Sequence, residues 1–599
     1  MSKYLEWLDE ANERQRYAIL EKPGHCVVRA GPGTGKTRTL VLKAAKLLYD
    51  EIFPPRGLAC VTYTQAMATE LRQRLRDLGI SKQQHVFIGT LHGFCLTYIL
   101  LPFAKLFNYP LPDPIRIISE KEQADIYEQL WEQIAFKALL VGYEPEYRDG
   151  ERADRLPISF QKYRRTHFDG PQSETANPYA ENLLDQYETA LQQRNCIDFD
   201  LQVKWSMQLV EREEYVQRAL EAKFPWMLVD EYQDVGLPLH RMVKALTQKA
   251  NIKLFAIGDT NQCIYGFSGA NPDYLKELCS TTNIYGEHIT LTKNYRSRGR
   301  ILQAAEILAS ESIQLEPTRE DGDGVVMVFE TDRLLDILRT LTQQANIPPG
   351  EIMILHRWRR GCQEIIQKVQ ESDLNIPCFN ASQELYDYRR PLLDWLGKVI
   401  TYVLYEADNR EIRFQDLYSF WQMLLISSGL SNYDSTSLKH RVTFFNALNT
   451  SNQYGHLASN WLEFVSDSLN LAHLLSSYER KAPDEVEEFK KFKAALEPDG
   501  PLSNLSLQGI KDRVQRRNRV YIGTLHSSKG QENRTVIIAD AENLNVGGND
   551  VERQDENQRL FYVGVTRAKD QVYITQNRFA YLAHQLRQGL QELQLATSY

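Results

Sequence analysis

One stretch limits what this chain can fold into more than any other. HCVVRA (25–30) leads into AGPGTGKT (30–37), which opens TRTLVLKAAKLLYD (37–50). An apolar, β-branched run feeds a glycine-rich turn, and the turn starts a helical segment. That order predicts a parallel sheet whose strand ends carry ligands. Gly31, Gly33 and Gly35 let the backbone curl so that its N–H groups face a phosphate, and the helix N-terminus adds positive potential. Lys36 supplies a point charge for β/γ-phosphates, and the Thr37 hydroxyl suits a Mg²⁺ ion. The usual pattern begins with Gly where this chain has Ala30. Ala30, Thr34 and Arg38 are taken with the loop as nucleotide contacts. The plainer alternative is a glycine-rich turn before a helix; the strand and helix on either side favour the phosphate cradle.

The same rhythm recurs. GLACVTYT (57–64), WMLVDEYQD (226–234), KLFAIGD (253–259), EIMILHR (351–357), VYIGTLH (520–526), RTVIIAD (534–540) and QVYITQ (571–576) are short apolar runs ending in polar clusters. They read as parallel strands buried on both faces with helices between them. Residues 96–196 and 381–504 break the pattern and read as mainly helical. The parse is α/β: two P-loop-type domains with parallel sheets, each interrupted by a helical insertion. The first domain takes 1–95 and 197–283 around the insertion 96–196. The second takes 284–380 and 505–599 around the insertion 381–504.

Composition narrows the class. The chain has 599 residues, 43% of them hydrophobic and 25% charged, as in ordinary globular proteins. No apolar run is long enough to cross a membrane, and MSKYLEWLDEANERQRYAIL lacks the apolar core of a secretory signal. The eight cysteines show no CxxC pair or Cys/His ligand spacing, so reduced thiols and a cytoplasmic location are expected. A net charge of −8 is unlike a strongly basic nucleic-acid binder, yet leaves room for a local basic groove.

WMLVDEYQD puts Asp230 and Glu231 at the end of a buried strand, where charges are costly unless used or paired. Asp230 fits a Mg²⁺ partner, and Glu231 fits the group that orients or deprotonates an attacking water. Together with the upstream cradle, the pair predicts an ATP-hydrolysing site. The sequence DEYQD then resembles superfamily 1A DNA helicases, the UvrD, PcrA and Rep type. Further motifs follow in that family's order: NERQRYAI (12–19), VTYTQAMATELRQRL (61–75), GTLHGFC (89–95), NCIDFDL (195–201), IGDTNQCIYGFSGA (257–270), LTKNYRS (291–297), IGTLHSSKGQE (522–532) and RLFYVGVTRAK (559–569).

The resemblance implies two RecA-like domains and assigns roles by position. Gln15 reads adenine and Tyr295 stacks on it. Arg296 and Arg567 reach the γ-phosphate from the second domain. Gln262 senses that phosphate or its water, and Glu532 contacts the nucleotide sugar. Tyr63, Tyr265 and Phe267 match positions where rings stack on bases of single-stranded DNA. Thr62, Thr90, His92, Thr524, His526 and Lys529 match phosphate-contacting or coupling positions. Core packing is the plainer alternative for each aromatic. QKYRRTH (161–167), HRWRR (356–360) and KDRVQRRNR (511–519) suit either a phosphate grip or a solvated charged face. The implied activity is ATP-driven 3′→5′ movement on single-stranded DNA by alternate grip of two lobes, with a 3′-tailed duplex as substrate and no membrane partner.

Departures keep other readings open. Phe267-Ser268 stands where the family commonly has Trp-Arg, and Gln65-Ala66 where Asn-Lys is usual. Loss of that arginine implies weaker coupling of hydrolysis to DNA. The short second insertion also resembles compact UvrD-like subunits that work beside a protein partner, such as the helicase-like component of the Gabija antiphage system. A nucleotide-gated binding module and an RNA motor are the remaining alternatives; the intact Lys36, Thr37, Asp230, Glu231, Arg296 and Arg567 disfavour the first, and DEYQD with its accompanying motifs disfavours the second.

Overall fold

The structure is a computed structural model. It describes residues 2–62, 65–80, 85–119, 122–130, 164, 178–381, 391–404, 412–428, 438–451, 457–479, 483–498, 500, 502–514, 519–545 and 551–596. The fold is α/β, with parallel sheets in two domains, as the strand rhythm predicts. Among the described residues no helix is long and apolar enough to cross a membrane.

The first sheet holds β1 (Cys26–Ala30), β2 (Leu58–Thr62), β3 (Val86–Thr90), β4 (Trp226–Val229), β5 (Lys253–Gly258) and β6 (Ile289–Leu291) in the order β3-β2-β4-β5-β1-β6. Every neighbouring pair in it is parallel. Val27, Ala59, Val61, Met227, Val229, Leu254 and Ala256 point into one core. Cys26, Val28, Leu58, Cys60, Leu228, Phe255 and Ile257 point into another. Side chains alternate across a strand, so a sheet covered on both faces needs apolar residues at every position. That is why these strands read as unbroken hydrophobic runs. Each fully buried Val or Leu contributes roughly 1.5–3 kcal/mol of transfer free energy.

A short parallel pair follows, β7 (Lys293–Asn294) with β8 (Glu316–Pro317). The second six-stranded sheet contains β9 (Val325–Val328), β10 (Ile352–His356), β11 (Cys378–Asn380), β12 (Val520–Thr524), β13 (Asn533–Ile538) and β14 (Ala568–Ile574), in the order β11-β12-β10-β13-β14-β9. β10 pairs in parallel with β12 and β13, and β11 with β12.

The chain divides into two compact units. The first is Met1–Val326 with Leu544–Gln571 and Ala580–Tyr599; the second is Met327–Asn543 with Val572–Phe579. The second unit carries its own helical core. Helices Pro391–Leu404, Phe414–Ser428, Ala458–Ser468 and Pro483–Leu496 contribute Trp395, Trp421, Trp461 and Phe492 to it. Trp395 and Trp421 stack with ring centroids 5.0 Å apart.

One junction of the first sheet has no slack. The Gly57 amide donates to the Lys223 carbonyl at 2.6 Å, and Leu58 N–H donates to His85 O at 3.2 Å. A Cβ on Gly57 would sit 2.1 Å from that His85 oxygen, a backbone atom. Gly57→Ala should therefore lower stability by about 1–3 kcal/mol. It should shift the first thermal transition downward in calorimetry; an unchanged transition would mean that the β2–β3 junction yields.

Candidate functional site

The order β4-β5-β1 sets three strand ends side by side, and the loops leaving them build the site. The loop after β1 turns through Gly33 and Gly35, whose φ angles are +68° and +83°. Those left-handed values favour glycine over any residue with a Cβ. Helix Lys36–Asp50 starts at Gly35. Thr34 is buried, and its hydroxyl donates to Gly31 O at 2.8 Å. The Lys36 ammonium donates to the carbonyls of Ala30 and Gly31 at 3.3 Å each. Thr37 is half-buried in the first helical turn. Arg38 turns to the N-terminal helix: it donates to Trp7 O at 3.1 Å and pairs with Glu10.

Gln15 and Tyr295 reach the same loop from opposite directions in the chain. The buried Gln15 amide donates to Thr34 O at 2.9 Å. Asn12 caps the short helix Glu13–Arg16 in a reciprocal pair with Gln15, and its own amide donates to the Tyr295 hydroxyl at 2.9 Å. Tyr295 N–H donates to Gly33 O at 2.9 Å, and Asn294 Nδ2 donates to Pro32 O at 2.6 Å. The Tyr295 ring is 44% exposed beside the loop, available to stack on a planar base.

Acids gather at the next two strand ends. Asp230 follows β4 and Asp259 follows β5, and both are buried. Burial and then the neighbouring Glu231 push the Asp230 carboxyl up to about 7, against the opposing pull of the Glu231 N–H and Lys36. Burial also raises Asp259, opposed first by Lys36. One Asp259 oxygen accepts from Asn261 N–H at 3.1 Å, while its buried Oδ2 has no hydrogen-bond partner among the described residues. Buried carboxylates with this little compensation suit a divalent cation. Glu231 itself sits at φ +50°, a left-handed conformation uncommon for a residue with a side chain. Gln233 holds it: its amide nitrogen donates to the Glu231 carboxylate, and its carbonyl accepts from Asp259 N–H at 3.0 Å.

The two arginines of the later motifs meet at the same place. Arg567 is buried, and its Nε donates to Val563 O at 3.0 Å. Arg296 donates to Thr566 O at 3.3 Å. Burial and then repulsion from Arg296 drag the Arg567 guanidinium down to about 9, with Glu231 pulling the other way. A buried guanidinium that feels a second, half-buried one suits an anion beside them. Lys36, Asp230, Glu231, Arg296 and Arg567 all belong to the first compact unit. Gln262 is buried in the turn Thr260–Gln262 after β5. Arg559 ties that turn to helix Val551–Val565 by donating to Cys263 O at 2.8 Å.

The expected DNA contacts fall in two groups. In the first unit, Thr62 and Thr90 are register partners at the carboxyl ends of β2 and β3. Thr90 caps helix Leu91–Phe94, and the His92 ring lies edge-on to Phe199 at 5.1 Å. Tyr265 and Phe267 pack edge to face at 6.1 Å, and Phe267 is 41% exposed. Ser268 turns inward, its hydroxyl donating to Tyr265 O at 2.9 Å. Tyr63 lies outside the described residues. Thr524, His526, Lys529 and Glu532 belong to the second unit. There Thr524 ends β12 beside His356 of β10.

The basic clusters differ in fate. Arg164, the one described residue of QKYRRTH, is buried and ion-paired with Asp198 at 2.5 Å, so it holds the insertion together. Arg357 stacks over the exposed Trp358 at 4.3 Å, and Arg360 pairs with Glu364. In KDRVQRRNR, residues 515–518 lie outside the described residues and Lys511 is buried. The sequence did not single out Asn12, Gln233, Asp259 and Asn294, though all four lie inside quoted motifs, and Asn12 with Gln15 carries a capping-box spacing.

Comparison with known proteins identifies the family. The family model of the UvrD/REP helicase N-terminal domain matches residues 11–283, and that of the UvrD-like helicase C-terminal domain matches 423–578. An ATP-dependent DNA helicase PcrA of Staphylococcus epidermidis is 23% identical over 632 residues, covering 94% of this chain and 83% of that protein. The protein of the same description from Staphylococcus aureus is 23% identical over 634 residues, covering 95% and 83%.

The raised Asp230 carboxyl has a consequence for stability. Its folded value of about 7 lies above the usual 3.8. The folded state thus holds a proton that the unfolded chain releases, and stability falls as pH rises through that interval. Asp230→Asn removes the loss. Without nucleotide and in EDTA, the variant should be more stable than wild type at pH 8 by roughly 2–4 kcal/mol, with the gap closing towards pH 4. Equal thermal midpoints at pH 8 would contradict this.

Proposed function

This chain belongs to the UvrD/REP helicase family, and from that footing we propose that it is an ATP-dependent 3′→5′ DNA helicase and single-stranded DNA translocase. The supporting observation is the convergence of Lys36, Asp230, Glu231, Arg296 and Arg567, each felt electrostatically by another member of the group. The P-loop amides and Lys36 bind the nucleotide phosphates. Gln15 and Tyr295 hold the adenine, the first by hydrogen bonds and the second by its ring. Thr37 and Asp230 would hold Mg²⁺, which would supply positive charge to neutralise the phosphates. Glu231 orients the attacking water and accepts its proton. Arg296 and Arg567 stabilise the charge that builds on the transferring phosphoryl group, and Gln262 reports on it.

On the DNA side, Phe267, Tyr265 and Tyr63 stack on bases. Thr62, Thr90 and His92 contact the backbone from one RecA-like domain, and Thr524, His526 and Lys529 from the other. Helix Val551–Val565 carries Arg559 against the turn after β5, which joins the γ-phosphate side to the Tyr265–Phe267 pair. One observation favours a second reading, a DNA-stimulated ATPase subunit of a larger assembly that unwinds little by itself. Ser268 spends its hydroxyl on Tyr265 O where the family commonly carries an arginine.

ATPase assays with and without single-stranded DNA, followed by strand displacement on 3′- and 5′-tailed duplexes, test both. The first reading expects DNA-stimulated hydrolysis and displacement only on the 3′-tailed duplex. Stimulation without displacement supports the second, and hydrolysis indifferent to DNA contradicts both. Glu231→Gln should cut kcat by at least about 10²-fold while ATP still binds.

A further inference from the structure

Behind Glu231 lies a chain of side chains that the hydrolytic scheme leaves unused. Tyr232, the next residue, is buried, as is His240 on helix Leu237–Gln248. The Tyr232 hydroxyl lies 3.0 Å from His240 Nδ1, and His240 Nε2 lies 3.0 Å from Glu277 Oε2. The other Glu277 oxygen accepts from the Lys244 ammonium at 2.6 Å. The imidazole stacks on Tyr274, with centroids 4.5 Å apart and planes 12° from parallel. Tyr274 and Glu277 both sit on helix Asp273–Ser280. Tyr232, Tyr274, Glu277 and Lys244 are the titratable groups around the ring.

The protons in this chain can be placed. Burial raises Glu277, but bonds from Lys244 and His240 outweigh it and hold the carboxyl below its ordinary value, so it only accepts. His240 Nε2 therefore carries hydrogen. Burial lowers His240 against the pull of Glu277, so the ring is neutral and its Nδ1 offers a lone pair. The Tyr232 hydroxyl donates to it. Direction runs one way, from Tyr232 through His240 to Glu277.

A left-handed, non-glycine residue persists only where its surroundings over-determine it. On the strand side of Glu231, its N–H donates to Asp230 Oδ1 at 3.0 Å. On the turn side, its carbonyl accepts from Asp234 N–H at 2.9 Å. Gln233 holds the carboxylate itself. Tyr232 is the first residue of that 3-10 turn, and its backbone presses on β5, where a Cβ at Gly258 would come 3.1 Å from Tyr232 N. We infer that His240 is a positioning residue for hydrolysis: held by Glu277 and Tyr274, it tethers Tyr232 and so fixes the angle at which Glu231 meets the attacking water. This rests on the ATPase reading above.

The test is steady-state ATP hydrolysis by the full chain, with saturating oligo(dT), for His240→Phe, Tyr232→Phe, His240→Gln and His240→Asn, with thermal melts of each. Asparagine returns an acceptor near the Nδ1 position; glutamine returns a donor near Nε2 only. The relay expects His240→Phe, His240→Gln and Tyr232→Phe each to lose about tenfold in kcat with KM for ATP within about twofold. His240→Asn should recover most of that loss. Tyr232→Phe removes a single oxygen and keeps the ring, so it decides the matter if His240→Phe melts early. The relay is overturned if both Phe variants keep kcat within about twofold, if asparagine fails as badly as phenylalanine, or if KM rises while kcat holds. A wild-type chain that does not hydrolyse ATP would instead remove the parent reading, and the relay with it.

Discussion

At the carboxyl ends of β4, β5 and β1, charged groups stand where water is scarce. Asp230, Asp259 and Arg567 are buried, and burial is the first cause that displaces each from its ordinary titration; Glu231 adds to the shift of Asp230 and Arg296 to that of Arg567, while Lys36 opposes that of Asp259. Charges in such places are costly unless they act on a ligand or on one another. Here the acids collect near Lys36 and the guanidinium groups near each other. The result is separate attraction for a divalent cation and for an anion within one cluster of side chains, which is what a metal–nucleotide pair presents.

The rest of the first unit holds that arrangement still. A sheet buried on both faces gives strand ends little freedom, because moving one end disturbs two cores. Polar side chains then fasten the loops to one another. Asn294 binds the P-loop through Pro32 O and accepts from Arg296 and Ser297 N–H at 2.9 and 2.7 Å. Gln233 joins the Glu231 carboxylate to the Asp259 backbone. Groups that receive a transition state do so best when they need not reorganise.

The coupling side is built more lightly. Phe267 is exposed, Ser268 spends its hydroxyl on the local backbone, and helix Val551–Val565 reaches the turn after β5 through Arg559, which donates to Cys263 O, and through a side-chain bond between Tyr562 and Asn261. A motor has to transmit a change in phosphate state to its track.

Much was legible beforehand. AGPGTGKT between strand and helix determined the cradle, because only small residues and a terminal lysine satisfy a phosphate-wrapping backbone. The apolar runs determined parallel sheets, because burial on both faces removes the alternation. DEYQD marked the acids, and LTKNYRS and RLFYVGVTRAK marked the two arginines. What the chain order could not disclose is which distant groups share a dielectric. Asn12 reaches Tyr295, His240 sits behind Glu231, and Arg164 enters a core as the partner of Asp198. Spacing along the chain reports local geometry. Hydrogen bonds, repulsion and burial depend on approach in space, and that was decided by the packing of the sheets and helices alone.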